Sequence, residues 1–159
     1  MIVVSDTTPL SSLILLGKLY LLKVFFNTVL IPEEVAEELY KIPALKTALL
    51  QNINWINVCP LKNFEKKNEL MEILDKGESA AIALAIERNI NLILIDERKG
   101  KHIAQRFGIE STGTLGILIK AKQSGLLKEI KPDLLKLKNE FNFWISENLM
   151  LDVLNLINE

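Results

Sequence analysis

The chain has 159 residues, with 19 Lys and Arg against 20 Asp and Glu and a net charge of −1. That length fits one domain able to bury its own core without disulfides or structural zinc, and the single Cys59 excludes a disulfide framework. A hydrophobic share of 49% excludes disorder, and the balanced charge leaves no global basic footprint from which nucleic-acid binding could be argued.

Ile2-Val3-Val4-Ser5 is a short β-branched run and is predicted as a buried strand. The uncharged stretch 7–17 that follows falls short of the roughly 20 apolar residues needed to span a bilayer. Asp6 also stands where a signal peptide would carry Lys or Arg, so a cytoplasmic protein without a membrane segment is expected. Pro9 suits the first turn of a helix ending at Leu16, before Gly17. A second helix is expected over 19–25 and a strand over 28–31. Pro32 opens a third helix, with Glu33 and Glu34 in its first turn, running to about Lys41. Next come a short helix over 43–50, a strand over 55–58 and a charged amphipathic helix over 62–74. Gly77 is expected to break that helix and a nearly all-apolar one to follow over 78–88. Leu92-Ile93-Leu94-Ile95 is the second evident buried strand. A helix over 97–107 stops at Gly108, a short strand lies near Ile109, and Thr112-Gly113-Thr114 opens a helix through Ala121. From Pro132 two further helices are separated near Trp144. Short apolar runs alternating with helical patterns indicate an α/β fold built on a parallel sheet, a single domain with 132–159 as its helical extension.

Two of these strands run directly into an acid, Asp6 and Asp96. In a parallel α/β sheet the C-terminal strand ends border the ligand crevice, where paired carboxylates require protonation, basic partners or a cation. The alternative is that each Asp caps the helix after it. In Pro32-Glu33-Glu34-Val35-Ala36-Glu37-Glu38-Leu39 the apolar stripe is Val35, Ala36 and Leu39. Glu37 points away from it and Glu38 lies on its flank, but Glu33 sits about as far off on the other side, so geometry alone leaves the choice open. Glu78 adjoins an unusually apolar helix, a placement that a favourable dipole tolerates without explaining.

Asp6, Glu38, Glu78 and Asp96 together would form an all-oxygen set, which selects hard cations such as Mg²⁺ or Mn²⁺, ions suited to phosphodiester hydrolysis. His102 is the only His, which argues against zinc and a Ser-His-Asp triad, and a surface position suits it better. Cys59 reads as an inert strand-end residue. Thr112-Gly113-Thr114-Leu115-Gly116 is no P-loop; it reads either as an anion site at a helix start or as a cap with Gly116 closely packed. Arg98, Lys99, Lys101, Arg106, Lys120 and Lys122 could rim the centre for a phosphodiester, or simply solvate their helices.

Taken in order, Val4-Ser5-Asp6-Thr7-Thr8-Pro9-Leu10, the Pro32–Leu39 segment with Glu38, Gly77-Glu78-Ser79-Ala80-Ala81 and the stretch from Leu92 through Asp96 to Gly116 resemble the four acidic motifs of the PIN-domain family of metal-dependent ribonucleases. The likeness covers 2–125 and is closest to a prokaryotic branch described as nucleic-acid-binding proteins. It implies a three-layer α/β/α sandwich with about five parallel strands, one or two Mg²⁺ or Mn²⁺ ions at Asp6, Glu38, Glu78 and Asp96, an RNA substrate and a homodimer. Many relatives are toxins held by an antitoxin protein, and those usually carry Thr where Leu94 stands. On this basis the chain is expected to be an endoribonuclease, with Thr7, Glu97, Arg98, Lys99, Thr112 and Thr114 supporting the acids or the substrate. A catalytically degenerate binding or dimerisation module is the non-enzymatic alternative. A phosphatase with Asp6 as nucleophile is disfavoured, because that class carries a second Asp where Thr8 stands. The apolar content of the tail and of the 10–25 helices is expected to serve a homodimer or antitoxin contact unless the tail folds back on its own domain.

Overall fold

A computed structural model describes residues 1–159. Five strands, β1 (Ile2–Ser5), β2 (Thr28–Pro32), β3 (Ile56–Cys59), β4 (Leu92–Leu94) and β5 (Glu110–Thr112), form one sheet in the order β3-β2-β1-β4-β5. All its pairings are parallel. The strands alternate inward on both faces, as buried parallel strands must. Val3, Val29, Ile31 and Leu94 join one core, and Val4, Leu30, Ile93 and Ile95 the other.

The first face is covered by α1 (Thr7–Leu15), α2 (Tyr20–Phe25), α3 (Glu33–Tyr40) and α4 (Pro43–Gln51), joined late in the chain by α8 (Thr114–Gln123), α9 (Lys131–Glu140) and α10 (Glu147–Ile157). The second is covered by α5 (Phe64–Leu70), α6 (Lys76–Glu87) and α7 (Arg98–Arg106). This is the three-layer α/β/α architecture expected, with helices on both sides of the sheet.

Local departures from expectation have local causes. The first helix begins at Thr7, two residues before Pro9, because Pro is tolerated throughout a first turn whose N–H groups have no partners. Pro32 caps α3 in extended conformation instead of opening it. Gly77 does not break a helix: it lies in the first turn of α6, which Asp75 caps by accepting from the Glu78 N–H at 2.8 Å. The preceding helix ends at Leu70, earlier than its periodicity suggested.

The tail folds back through Leu134, Leu137, Val153 and Ile157, all buried in the first core, while Trp144, Leu151 and Leu156 stay exposed. The start of α9 has no cap of its own; Glu159 supplies one, accepting from the N–H groups of Ile130 and Lys131 at 3.0 Å. Burial works to raise the Glu159 carboxyl, but these bonds and Lys122 outweigh it and hold it below its ordinary value. Stability gained this way is present above the unfolded pKa and lost as pH falls. Glu159→Ala is expected to lower urea stability by about 1 kcal/mol at neutral pH, and by less in acid.

Candidate functional site

β1 and β4 lie side by side with Ser5 opposite Leu94, and the Asp6 N–H donates to the Leu94 carbonyl at 2.9 Å. Asp6 and Asp96 therefore leave the sheet at the same end. That end, between β1 and β4, is where the strand order reverses, the position at which open α/β sheets bind ligands.

Glycines shape the crevice. A methyl group on Gly77 would lie 2.8 Å from Glu38 Oε1 and 3.1 Å from Asp6 Oδ1, so these two carboxylates meet over one bare stretch of α6 backbone. A methyl on Gly100 would lie 2.7 Å from Glu78 Oε2, and one on Gly113 would collide with Asp96 Oδ1. All four acids thus occupy space at the strand ends that glycines leave open. Gly113→Ala is expected to displace the Asp96 carboxylate and to lower stability and activity together, a result that thermal denaturation beside a cleavage assay would show.

Neither Asp caps the helix that follows it. Asp6 sits at the N-cap of α1 with no side-chain capping bond. Asp96 instead accepts from the Thr114 N–H at 2.7 Å and the Thr114 hydroxyl at 2.8 Å, tying the end of β4 to the start of α8. Both Thr114 donors at this helix start are thus taken by a carboxylate of the chain itself. Of the reading as a helix cap, the close packing of Gly116 against the Thr112 hydroxyl is present, whereas α8 has no side-chain cap. Thr114→Val should keep the fold and the backbone bond while removing the hydroxyl bond to Asp96, with an expected activity loss of about 10-fold, at the lower end of what a group that orients a ligand costs.

Three of the four acids hold their protons unusually well. Asp6 and Glu78 are each only 5% exposed. Burial chiefly, with Asp75, Glu38 and Asp96 adding repulsion against a bond from Thr7, pushes Asp6 up to about 7. Burial first, then Asp75, Asp6 and Glu97, pushes Glu78 up to about 8. Asp96 is also raised by burial, against the pull of Thr114 and Lys101. Desolvation leads in each case; mutual crowding, the cause expected from the sequence, is secondary.

The acidic run of α3 resolves into separate roles. Glu38 turns to Gly77 and Asp6, Glu34 is buried against Lys67 at 2.9 Å, Glu37 reaches Lys76 at the surface and Glu33 is exposed. Among the supporting residues expected, Thr114 touches an acid directly, and Glu97 lies near enough to Glu78 and Asp96 to raise both. The Thr7 hydroxyl is buried without a partner beside Asp6. Arg98 and Lys99 are exposed on α7, and Thr112 faces Gly116 rather than the acids. His102 is exposed on α7 and Cys59 is a buried strand-end residue. Sequence reasoning missed Asp75, which repels both Asp6 and Glu78. The Asp75-x-x-Glu78 spacing ahead of an apolar run is a capping-box pattern that could have marked it.

A family model for the PIN domain matches residues 2–159. The chain belongs to the PIN-domain family. No curated protein matches it closely enough to name a relative. The PIN-type sheet is of nuclease type, and no helix here is long and apolar enough to cross a membrane. In chemistry, the PIN acids suit a hard divalent cation: every donor is a carboxylate oxygen, and the buried pair Asp6 and Glu78 lacks a countercharge. In position, no three of these side chains close into a ready-made cage.

Proposed function

We infer that the chain is a metal-dependent endoribonuclease, with Asp6, Glu38, Glu78 and Asp96 holding Mg²⁺ or Mn²⁺. The observation that carries this reading is the meeting of Asp6 and Glu38 over Gly77, beside the buried Glu78 and the half-buried Asp96, with none of the four in an ion pair. A divalent ion there supplies positive charge that acidifies water and offsets charge developing on phosphoryl oxygens. Thr114 holds the Asp96 carboxylate in one orientation through two bonds. With Asp6 raised to about 7 and Glu78 to about 8, both would give up protons on holding a cation, so affinity for it should rise with pH. The apolar helix α6 and the strand ends keep bulk water from the inner side of the acids.

Cleavage of a single-stranded oligoribonucleotide with Mg²⁺ or Mn²⁺, and none in EDTA, tests the reading; an inert chain with both ions overturns it. The exposed Trp144, Leu151 and Leu156 support a partner contact by a second copy or a small antitoxin-like protein. Light scattering that stays monomeric at high concentration removes the homodimer, and the absence of any co-purifying small protein on native expression counts against the antitoxin.

A further inference from the structure

Helix α7 leads away from Asp96 along the free edge of the sheet, and its cations have no partners. Arg98, Lys99, Lys101 and Arg106 make no ion pair, although the chain as a whole carries slightly more acids than bases. Between α7 and β5 runs an open groove of about 620 Å³ lined by Arg98, Lys101, His102, Gln105, Ser111 and Glu110. β5 is an edge strand, and Glu110 and Thr112 make its backbone bonds to the β4 side. The Ser111 peptide groups between them consequently point away from β4, and Ser111 lines the groove. Glu110 is the one acid on the lining, at the end remote from Asp96.

At the far end of α7 the character changes. A second depression of about 280 Å³, sharing Gly108 and Ile109 with the groove, is lined by Ile86, Ile90, Phe107 and the amides Asn89 and Asn91. Phe107 is 43% exposed, and Lys66 Nζ stands 5.3 Å from its ring centroid. A cationic track ending on an exposed ring, with amides beside it, matches the chemistry of a single strand: phosphates follow the charges and a base stacks on the aromatic face. A duplex would keep its bases stacked inside and leave the ring unused. The nine residues of α7 span roughly 14 Å, so the ring lies a few nucleotides from the acids.

We propose that the α7–β5 groove binds single-stranded nucleic acid running from the acidic centre, with Arg98 and Lys101 on its phosphates and Phe107 stacking a base. The direction of the track rests on the nuclease reading above, whereas the binding itself does not. Arg98, which lines the groove, opens α7 two residues after Asp96, and this places the mouth of the groove at the acids.

The test is fluorescence anisotropy of a labelled twelve-nucleotide single-stranded RNA of mixed sequence with the full chain in EDTA, so that no cleavage intervenes. Arg98→Ala with Lys101→Ala should weaken binding at least tenfold and lower the salt slope by about 1.4, the value for two phosphate contacts on a single strand. Lys23→Ala with Lys138→Ala, two exposed cations elsewhere, should leave both unchanged. Phe107→Ala should cost about tenfold, with recovery in Phe107→Trp and quenching of the new indole on binding. Circular dichroism checks that these surface changes leave the fold intact. Equal affinity and slope for the Arg98/Lys101 pair and its control overturn the groove, as does a preference for duplex over single strand. Groove-dependent binding by a chain that cleaves nothing in Mn²⁺ upholds the groove and overturns the nuclease. Cleavage unaffected by the groove variants does the reverse.

Discussion

Asp6→Asn should abolish metal-dependent cleavage while leaving the metal-free protein as stable as before or more so. The side chain makes no N-cap bond, and a neutral amide weakens only the bond from Thr7, which is outweighed by burial. It removes instead a buried carboxylate held near pKa 7, first by desolvation and then by Asp75, Glu38 and Asp96. Activity should fall by more than the 10–100-fold characteristic of residues that only orient a ligand, because Asp6 is read as a ligand itself. Asp96→Asn should be as damaging to cleavage but less kind to stability, since Asn keeps one acceptor for Thr114 and loses the charge-assisted strength of the pair. A normal rate for Asp6→Asn would remove it from the site, and marked unfolding would show that its carboxylate holds the fold.

The metal-free protein should lose stability as pH rises across neutrality. An unfolded Asp or Glu releases its proton near its ordinary value, 3.8 or 4.5, whereas folded Asp6 and Glu78 hold theirs to about 7 and about 8. Between those limits the folded chain binds more protons than the unfolded chain, so the free energy of unfolding declines with pH. From pH 5.5 to 8.5 Asp6 alone accounts for a loss on the order of 2 kcal/mol, with Glu78 acting in the same direction. Urea melts in EDTA at the two pH values measure this, and the difference should shrink in Asp6→Asn and in Glu78→Gln. Mn²⁺ should flatten the slope, since a cation takes the place of the protons. Stability that rises with pH in EDTA would contradict the penalty that burial places on ionising these carboxyls.

The sequence carries the central strands plainly, because Ile2–Ser5 and 92–95 are β-branched, short and apolar on both faces, as strands buried from two sides must be. β5 is faint by contrast: Glu110-Ser111-Thr112 is polar because it lies at the sheet edge, and only position in the sheet makes it a strand. The family motifs brought Asp6, Glu38, Glu78 and Asp96 forward as a set, but helical geometry could not separate Glu38 from Glu33. The fold sets them apart in space, since Gly77 of α6 comes up against Glu38 while Glu33 is exposed. Asp75 was hidden for a related reason, since an exposed acid after an amphipathic helix looks like solvated surface until the β1 end is set beside it. The bonds from Thr114 to Asp96 join residues on different elements, and no periodicity within one segment reports them.

Pairing of β1 with β4 has a kinetic consequence. The Asp6 N–H and the Leu94 carbonyl are about ninety residues apart in the chain, and closures that long come at high entropic cost and late. β1 and β2 can associate, and α1 to α4 pack on them, before β4 arrives to bring Asp96 beside Asp6. The acids meet only when β4 docks. Relieving their repulsion, by a bound cation or by neutralising Asp6, is expected to retard unfolding more than it speeds refolding, which stopped-flow urea jumps would measure.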